Sequence, residues 1–432
     1  MASLARLEGS EAGSRPPPSY PQKGLKGDVF SILGLPERFI VGLDALAMTT
    51  KRSLPGFRDI PPGPHFLWVQ QPGGVSRCGY WFVTGTQGVV RTKQWDRYNE
   101  VLGEPASNDD VVNIESVYPT LQPYTLLEHR NNVSASLPMS SNDILLQWAR
   151  FPARLWNTLT NAISTESLSR LFGKGAVREY LVDSVDSLNF LFAQDIRDMQ
   201  ILDAGPPESR VSDTSTRVQA LLDTVENPVT ERDILAELQF TFLTGTHLGN
   251  SACLEQWWNL VLKIVLRAYS LAIGRPLLAK DLLQTLFAQL FYTEHYVGSS
   301  SSCSSHTSHT DQPHEQGTKK DGPNSDRPIF QYKPRMKEKL LQMLSQYKGK
   351  LEELLLSRNS HITPAQQAVG KVFEELGAWL WQYNWDLTGK YTSGRERAMP
   401  DVADSDEEED EQPVVVELDE EGREVGLVSF RD

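Results

Sequence analysis

The sequence predicts an α+β protein: a β-sandwich or partly closed barrel domain first, an all-α domain after it, and disordered tails at both ends. Three observations carry this. Between residues 28 and 96, apolar runs of five to eight residues alternate with Gly/Pro turn signals, the pattern of short strands at close spacing. From residue 218 to 380, Leu, Ile, Val and Phe recur three and four residues apart, which lines one face of successive helices. Residues 1–26 are rich in Pro, Ser and Gly, and residues 391–432 turn acidic, compositions that bury too little to offset the entropy of ordering.

The first strands expected are 28–33 and 39–43, joined by a turn at Gly34-Leu35-Pro36, with 45–54 a more polar connection. Pro61-Pro62-Gly63-Pro64 fixes a rigid turn, because each proline locks φ. Strands follow at 65–69, 77–84 and 89–95. Gly85-Thr86-Gln87-Gly88 reads as the four-residue loop of a hairpin between the last two. Leu121-Gln122-Pro123-Tyr124 is a local anchor in a mixed region. The β-rich domain is therefore set at 27–140, followed by a helical connector at 141–202.

In that connector Ser141-Asn142-Asp143 caps a helix over 144–150. A second opens at Pro152, with Leu155, Trp156, Leu159 and Ile163 on one face. Ser164 with Ser167 starts a third, and 177–192 reads as helical too. Residues 203–217, with Gly205-Pro206-Pro207, form a loop. The helical domain spans 218–390, with helices at 218–225, from Thr230 and Asp233 through Leu243, at 254–273, 277–292, 336–358, and from Thr363-Pro364 to Leu380. A Ser/His/Gly-rich insert at 298–327 interrupts it and is expected to be disordered. An acidic tail with a strand-forming segment closes the chain at 391–432.

The net charge of −14 is localised: residues 401–432 hold 14 acidic and 2 basic side chains, leaving the rest near neutral. A broad basic groove for nucleic acid is not supported. The three cysteines, Cys78, Cys253 and Cys303, lie far apart, which disfavours a zinc site and suits a reducing compartment. Residues 1–26 do not read as a signal peptide. The apolar stretch 254–273 is broken by Lys263 and Arg267 and reads as a buried helix, not a membrane span.

No constellation of catalytic residues stands out, and no cofactor or metal is expected. His65 would need Asp44 or Asp59 brought beside it to act as a base; the competing reading is a structural histidine in a β-core. Cys78 near His65 would make a thiol nucleophile, but a buried cysteine fits better. Cys303, His306, His309 and His314 lie in the polar insert with no scaffold to hold a metal. Gly73-Gly74 and Gly85–Gly88 precede no helix, so neither cradles phosphate. The aromatics Phe66, Trp68, Tyr80, Trp81 and Phe82, and the pair Trp257-Trp258, read as core packing.

The tail is distinctive. Val414, Val415, Val416 and Leu418, then Val425, Leu427, Val428 and Phe430, form two strand-prone runs with no neighbouring sheet in sequence. Such segments add a strand to the sheet edge of another protein. Ser405 sits among Asp404, Asp406 and Glu407–Glu409, an acidic context suited to phosphorylation, which adds about −1.5 to −2 charge.

Taken in order, Phe57, Asp59 through Phe66 (including Pro61, Pro62, Gly63 and His65), Arg77-Cys78-Gly79-Tyr80, Trp95-Asp96, Glu237 through Leu243 (including Gln239 and Phe240), Leu254 through Trp257, and Asn384 through Leu387 resemble the AAR-two family, the A-one cistron splicing factor family. The resemblance spans roughly residues 28–387; the 298–327 insert is longer than the family pattern needs. It implies a VHS-like helical domain and an assembly chaperone of the U5 small nuclear ribonucleoprotein (snRNP), active in cytoplasm and nucleus and not an enzyme. The partner implied is the large central U5 protein, through its RNase-H-like and Jab/MPN-type domains, held before the U5 helicase binds and released on phosphorylation. Strand addition would fall to residues 414–430 by position. The alternatives are a VHS-like trafficking adaptor and an RNA-binding splicing protein; RNA contact is expected to be indirect or weak.

Overall fold

The computed structural model describes residues 26–50, 54–73, 77–105, 114–125, 144–175, 177–194, 196–197, 213–224, 229–297, 334–356, 362–383 and 385–387. A two-sheet β-region comes first and a helical region follows, the predicted class. One sheet has the order β8-β7-β1-β4-β9, the other β10-β6-β5-β2-β3. The strands are β1 Asp28–Leu33, β2 Ile40–Leu43, β3 Leu46–Thr49, β4 Gly56–Ile60, β5 Gly63–Gln70, β6 Arg77–Thr84, β7 Val90–Asp96, β8 Val101–Gly103, β9 Gln122–Pro123 and β10 Glu179–Asp183. The sheets do not close into a barrel.

Sheet pairing departs from the sequence reading in several places. β1 and β2 lie in different sheets, so the Gly34 turn joins layers, not neighbours. The segment read as a polar connection holds β3, which pairs with β2 through a two-residue turn. Asp44 takes φ 57° there, the left-handed conformation that such hairpin turns demand. β4, also unread, runs antiparallel to β1. The β6–β7 hairpin does not form. β6 is flanked on both edges by β5 and β10, so the chain crosses over and β7 joins β1 in parallel. Asp28 anchors that crossing by accepting the Val89 N–H at 2.8 Å. The true hairpin is β5–β6, eight paired residues long.

The helices of seven or more residues are α1 Ile144–Arg150, α2 Pro152–Thr160, α3 Thr165–Leu171, α4 Ser215–Leu222, α5 Glu231–Leu248, α6 Ser251–Asn259, α7 Pro276–Tyr292, α8 Pro334–Leu356 and α9 Pro364–Trp381, with single turns at Ile114–Val117 and Leu271–Gly274. Three start on capping boxes: Ser164/Ser167, Thr230/Asp233 and Thr363/Gln366. Each satisfies two of the backbone N–H groups that a helix start leaves unpaired. The proposed cap of α1 lies outside the described residues, as do the 298–327 insert and the tail.

Two helical readings are corrected. Residues 177–192 contain β10, not a helix: Tyr180 and Val182 are buried while Glu179, Leu181 and Asp183 are half-buried, the period of two that a strand shows. Residues 254–273 are not one helix. After α6 the chain widens into a π-helical stretch, Leu260–Val265, with the Leu266 N–H reaching back to Val261 O. It then breaks, because Thr214 takes the Lys263 carbonyl through its hydroxyl (2.7 Å) and the Arg267 carbonyl through its N–H (3.2 Å). One apolar core runs without interruption from Phe30 and Phe82 in the sandwich to Leu344 and Leu376 in the helices.

Candidate functional site

The residues singled out by sequence converge on two places: a polar knot inside the sandwich, and the junction of sandwich and helices. In the knot, the β2–β3 turn points Asp44 inward. Its carboxylate accepts from His65 Nδ1 (2.7 Å), the Tyr124 hydroxyl (2.6 Å) and the Phe66 N–H (2.9 Å). His65 Nε2 faces the Pro61 carbonyl at 2.8 Å, which also accepts from the Thr84 hydroxyl. Asp44 and His65 are 0% and 2% exposed. Burial, then the Asp44 charge, pushes the Tyr124 phenol far above its usual range. The histidine does meet its carboxylate, yet both ring nitrogens are engaged and sealed from solvent, so neither can reach a substrate proton. The knot ties the Pro61-Pro62 turn to the β2–β3 hairpin. Gly63 opens β5 directly after it.

Cys78 is not beside His65; strand register sets Phe82 opposite His65 and Val69 opposite Cys78. Burial pushes the Cys78 thiol up to about 11, the reverse of an activated nucleophile. Gly79 is required by close approach: a Cβ there would lie 2.7 Å from the Leu67 carbonyl and 2.8 Å from the Phe66 ring. Trp95 packs edge-on against Phe39, centroids 4.9 Å apart.

At the junction, α5 lies against the β5–β6 hairpin. Phe66 stacks on Trp81 at 4.6 Å, and Trp81 meets Phe240 at 5.6 Å. The Trp81 indole donates to the Thr244 hydroxyl (2.9 Å), and Arg77 donates to the His247 carbonyl (2.9 Å). From the other side, the Trp156 indole donates to the Pro64 carbonyl at 3.1 Å. Gln239, fully buried, uses both ends of its amide. Its oxygen accepts the Ala162 N–H (3.0 Å), and its nitrogen donates to Thr158 O (3.1 Å) and Asn161 Oδ1 (2.7 Å), fixing the α2–α3 corner to α5. Trp257 donates to Gln289 Oε1 (2.8 Å), and Gln289 donates to Leu238 O (3.0 Å), locking α6 and α7 to the same helix. His247 stacks on Trp68 at 5.2 Å and bonds the Tyr292 hydroxyl. Burial, then the Arg77 charge, lowers it to about 3, so it stays neutral.

A third group escaped the sequence reading. At one margin of the sandwich Arg91 pairs with Asp28 (2.6 Å) and Glu179 (3.1 Å), while Lys93 pairs with Glu179 (3.4 Å) and Glu104. These ion pairs join β7 of one sheet to β10 of the other. The available signal was the alternation Arg91, Lys93, Trp95, an inward-facing row on β7.

Two family models match the chain in order: the AAR2 N-terminal domain over residues 26–173, and the AAR2 C-terminal repeat region over residues 207–388. The chain belongs to the AAR2 family. As an AAR2-family protein it is a splicing factor with a role in U5 snRNP assembly. No curated protein sequence matches it. Within this AAR2 chain the motif residues His65, Phe66, Gly79, Trp95, Gln239, Phe240 and Trp257 are buried and hold the architecture, while Pro61 and Gly63 are half-buried and Pro62 is exposed. Among the described residues no cluster of His, Cys, Asp and Glu is arranged to hold a metal, and no helix is long and apolar enough to cross a membrane. Residues 414–430 and Ser405 lie outside the described residues.

Proposed function

We propose that this AAR2-family protein is a removable, non-enzymatic cover for the large central U5 protein. The body holds the RNase-H-like domain, and residues 414–430 bridge to the Jab/MPN-type domain by strand addition, using the alternating side chains of Val414, Val416, Leu418 and Val425, Leu427. Occupying that surface would exclude the U5 helicase until release, and the assembly step would take place in cytoplasm and nucleus. A phosphate on Ser405 would add charge next to an already acidic run and weaken the bridge.

The observation that carries this reading is the pair of ordered AAR2 matches on halves that share one core and one polar junction. A body of that kind binds as a rigid unit, so its affinity is not spent on ordering domains. The test is a binding titration with the two U5 domains joined as in their parent protein. Removing residues 413–432 should lower affinity at least tenfold while the circular dichroism spectrum of the body is kept. Unchanged affinity would refute the bridging role, and no association with either domain would refute the reading altogether.

A further inference from the structure

A cleft of about 580 Å³ opens between α1 and α2 on one side and α7 and α9 on the other. It lies on the helical half and shares with the junction only Thr158, whose carbonyl is held by Gln239. Trp148 and Val372, both buried, form its apolar floor, and Trp148 is held edge-on against Phe287 at 5.2 Å. Arg154 stands at the lip, exposed. Its guanidinium is fixed by a 2.9 Å bond to Gln147 Oε1 and by the Phe151 ring at 4.8 Å, but it has no carboxylate partner among the described residues. On the opposite wall Lys371 is matched by Glu375 at 3.8 Å, so Arg154 sets the charge of the cleft. Asn157 and Gln284 present side-chain amides to it that make no hydrogen bond among the described residues.

We propose that this cleft binds an extended, acidic segment of a partner protein. A primary amide offers a donor and an acceptor side by side, the complement of a peptide unit in an extended chain, so Asn157 and Gln284 would read main chain. A fixed guanidinium without an acid partner is matched to a carboxylate, which it takes in two parallel hydrogen bonds. An apolar side chain next to that carboxylate would seat on Trp148 and Val372. A nucleic acid strand fits less well, because Glu375 lines the same wall and a single unmatched cation gives little phosphate affinity. None of the residues invoked here belongs to the 414–430 segment, so failure of this inference would leave the strand-addition reading standing, and the reverse.

The probe is a fluorescein-labelled ten-residue peptide alternating acidic residues with Leu, titrated against the full chain by anisotropy. Its counterpart with Lys for each acid, and a single-stranded oligouridylate, serve as the other arms. Saturable binding of the acidic peptide alone is expected. It should weaken at least tenfold in Arg154→Glu, less in Arg154→Lys, and at least threefold in Asn157→Ala/Gln284→Ala; all three positions are at least partly exposed, so the fold should hold. Ala368→Trp, which fills the cleft, should abolish binding. The inference is overturned if the acidic peptide does not saturate, if Arg154→Glu binds it equally, or if the oligouridylate displaces it. It is also overturned if binding appears only after residues 401–432 are removed, for the occupant is then the acidic tail of the same chain.

Discussion

The sandwich margin and the domain junction both bury polar groups, but the margin does so with paired full charges and the junction mainly with neutral amides and indoles, plus one half-buried cation, Arg77. At the margin Arg91 and Lys93 are held between Asp28, Glu179 and Glu104, with Arg91 5% and Asp28 0% exposed at the side chain. At the junction the work falls to the amides of Gln239 and Gln289 and the indoles of Trp81, Trp156 and Trp257. A buried ion pair gains little net stability, because desolvation offsets attraction, yet it is costly to break. Neutral hydrogen bonds contribute less apiece and fail more gently. The margin therefore fixes which strand closes the sandwich, and the junction fixes how the halves sit.

That contrast is sharpest in Arg91→Met. It strands the Asp28 carboxylate and leaves Glu179 with Lys93 alone, and the expected loss is about 3–5 kcal/mol in urea unfolding; adding Asp28→Asn should restore part of it. A loss under about 1 kcal/mol would show the margin to be solvated. Gln239→Ala removes three junction bonds and leaves the Ala162 N–H without its acceptor. The expected loss is about 2–3 kcal/mol, and a value equal to that of Arg91→Met would erase the distinction between the two regions.

His247 is the titratable group of the junction that sharpens the contrast with pH. Its proton affinity is lowered from 6.5 to about 3 in the folded chain, so between those values the unfolded chain binds a proton that the folded one does not. Stability is thus full above pH 6.5 and falls by about 1.4 kcal/mol per pH unit as pH drops toward 3. His247→Gln, which keeps a partner for the Tyr292 hydroxyl, should flatten this contribution between pH 7 and 5. The margin carboxylates are the same in both proteins, so an unchanged slope would assign the acid sensitivity to them.

Much of the fold was legible because it rests on short-range chemistry. The capping boxes Ser164/Ser167 and Thr230/Asp233 lie three residues apart, and β6 carries its own apolar run and bounds. What failed rests on competition between distant segments. Gly85–Gly88 looks like a hairpin loop, but β10, almost a hundred residues later, takes the edge of β6 that β7 would have used. The 254–273 helix breaks where Thr214, outside the stretch, captures two of its carbonyls. For the site, the sequence raised Asp44 as a partner for His65, but not Tyr124, nor the Trp81–Thr244 bond across 163 residues. Polar residues on an apolar helix face, such as Gln239 and Thr244 in α5, were the visible trace of that junction.

The most direct test of the central claim is an order-of-addition experiment with the U5 helicase and the joined RNase-H-like and Jab/MPN-type domains. With the AAR2-family chain bound first, helicase association should be blocked, and a phosphomimetic Ser405→Glu should relieve the block. A stable complex holding the chain, both domains and the helicase together would contradict it.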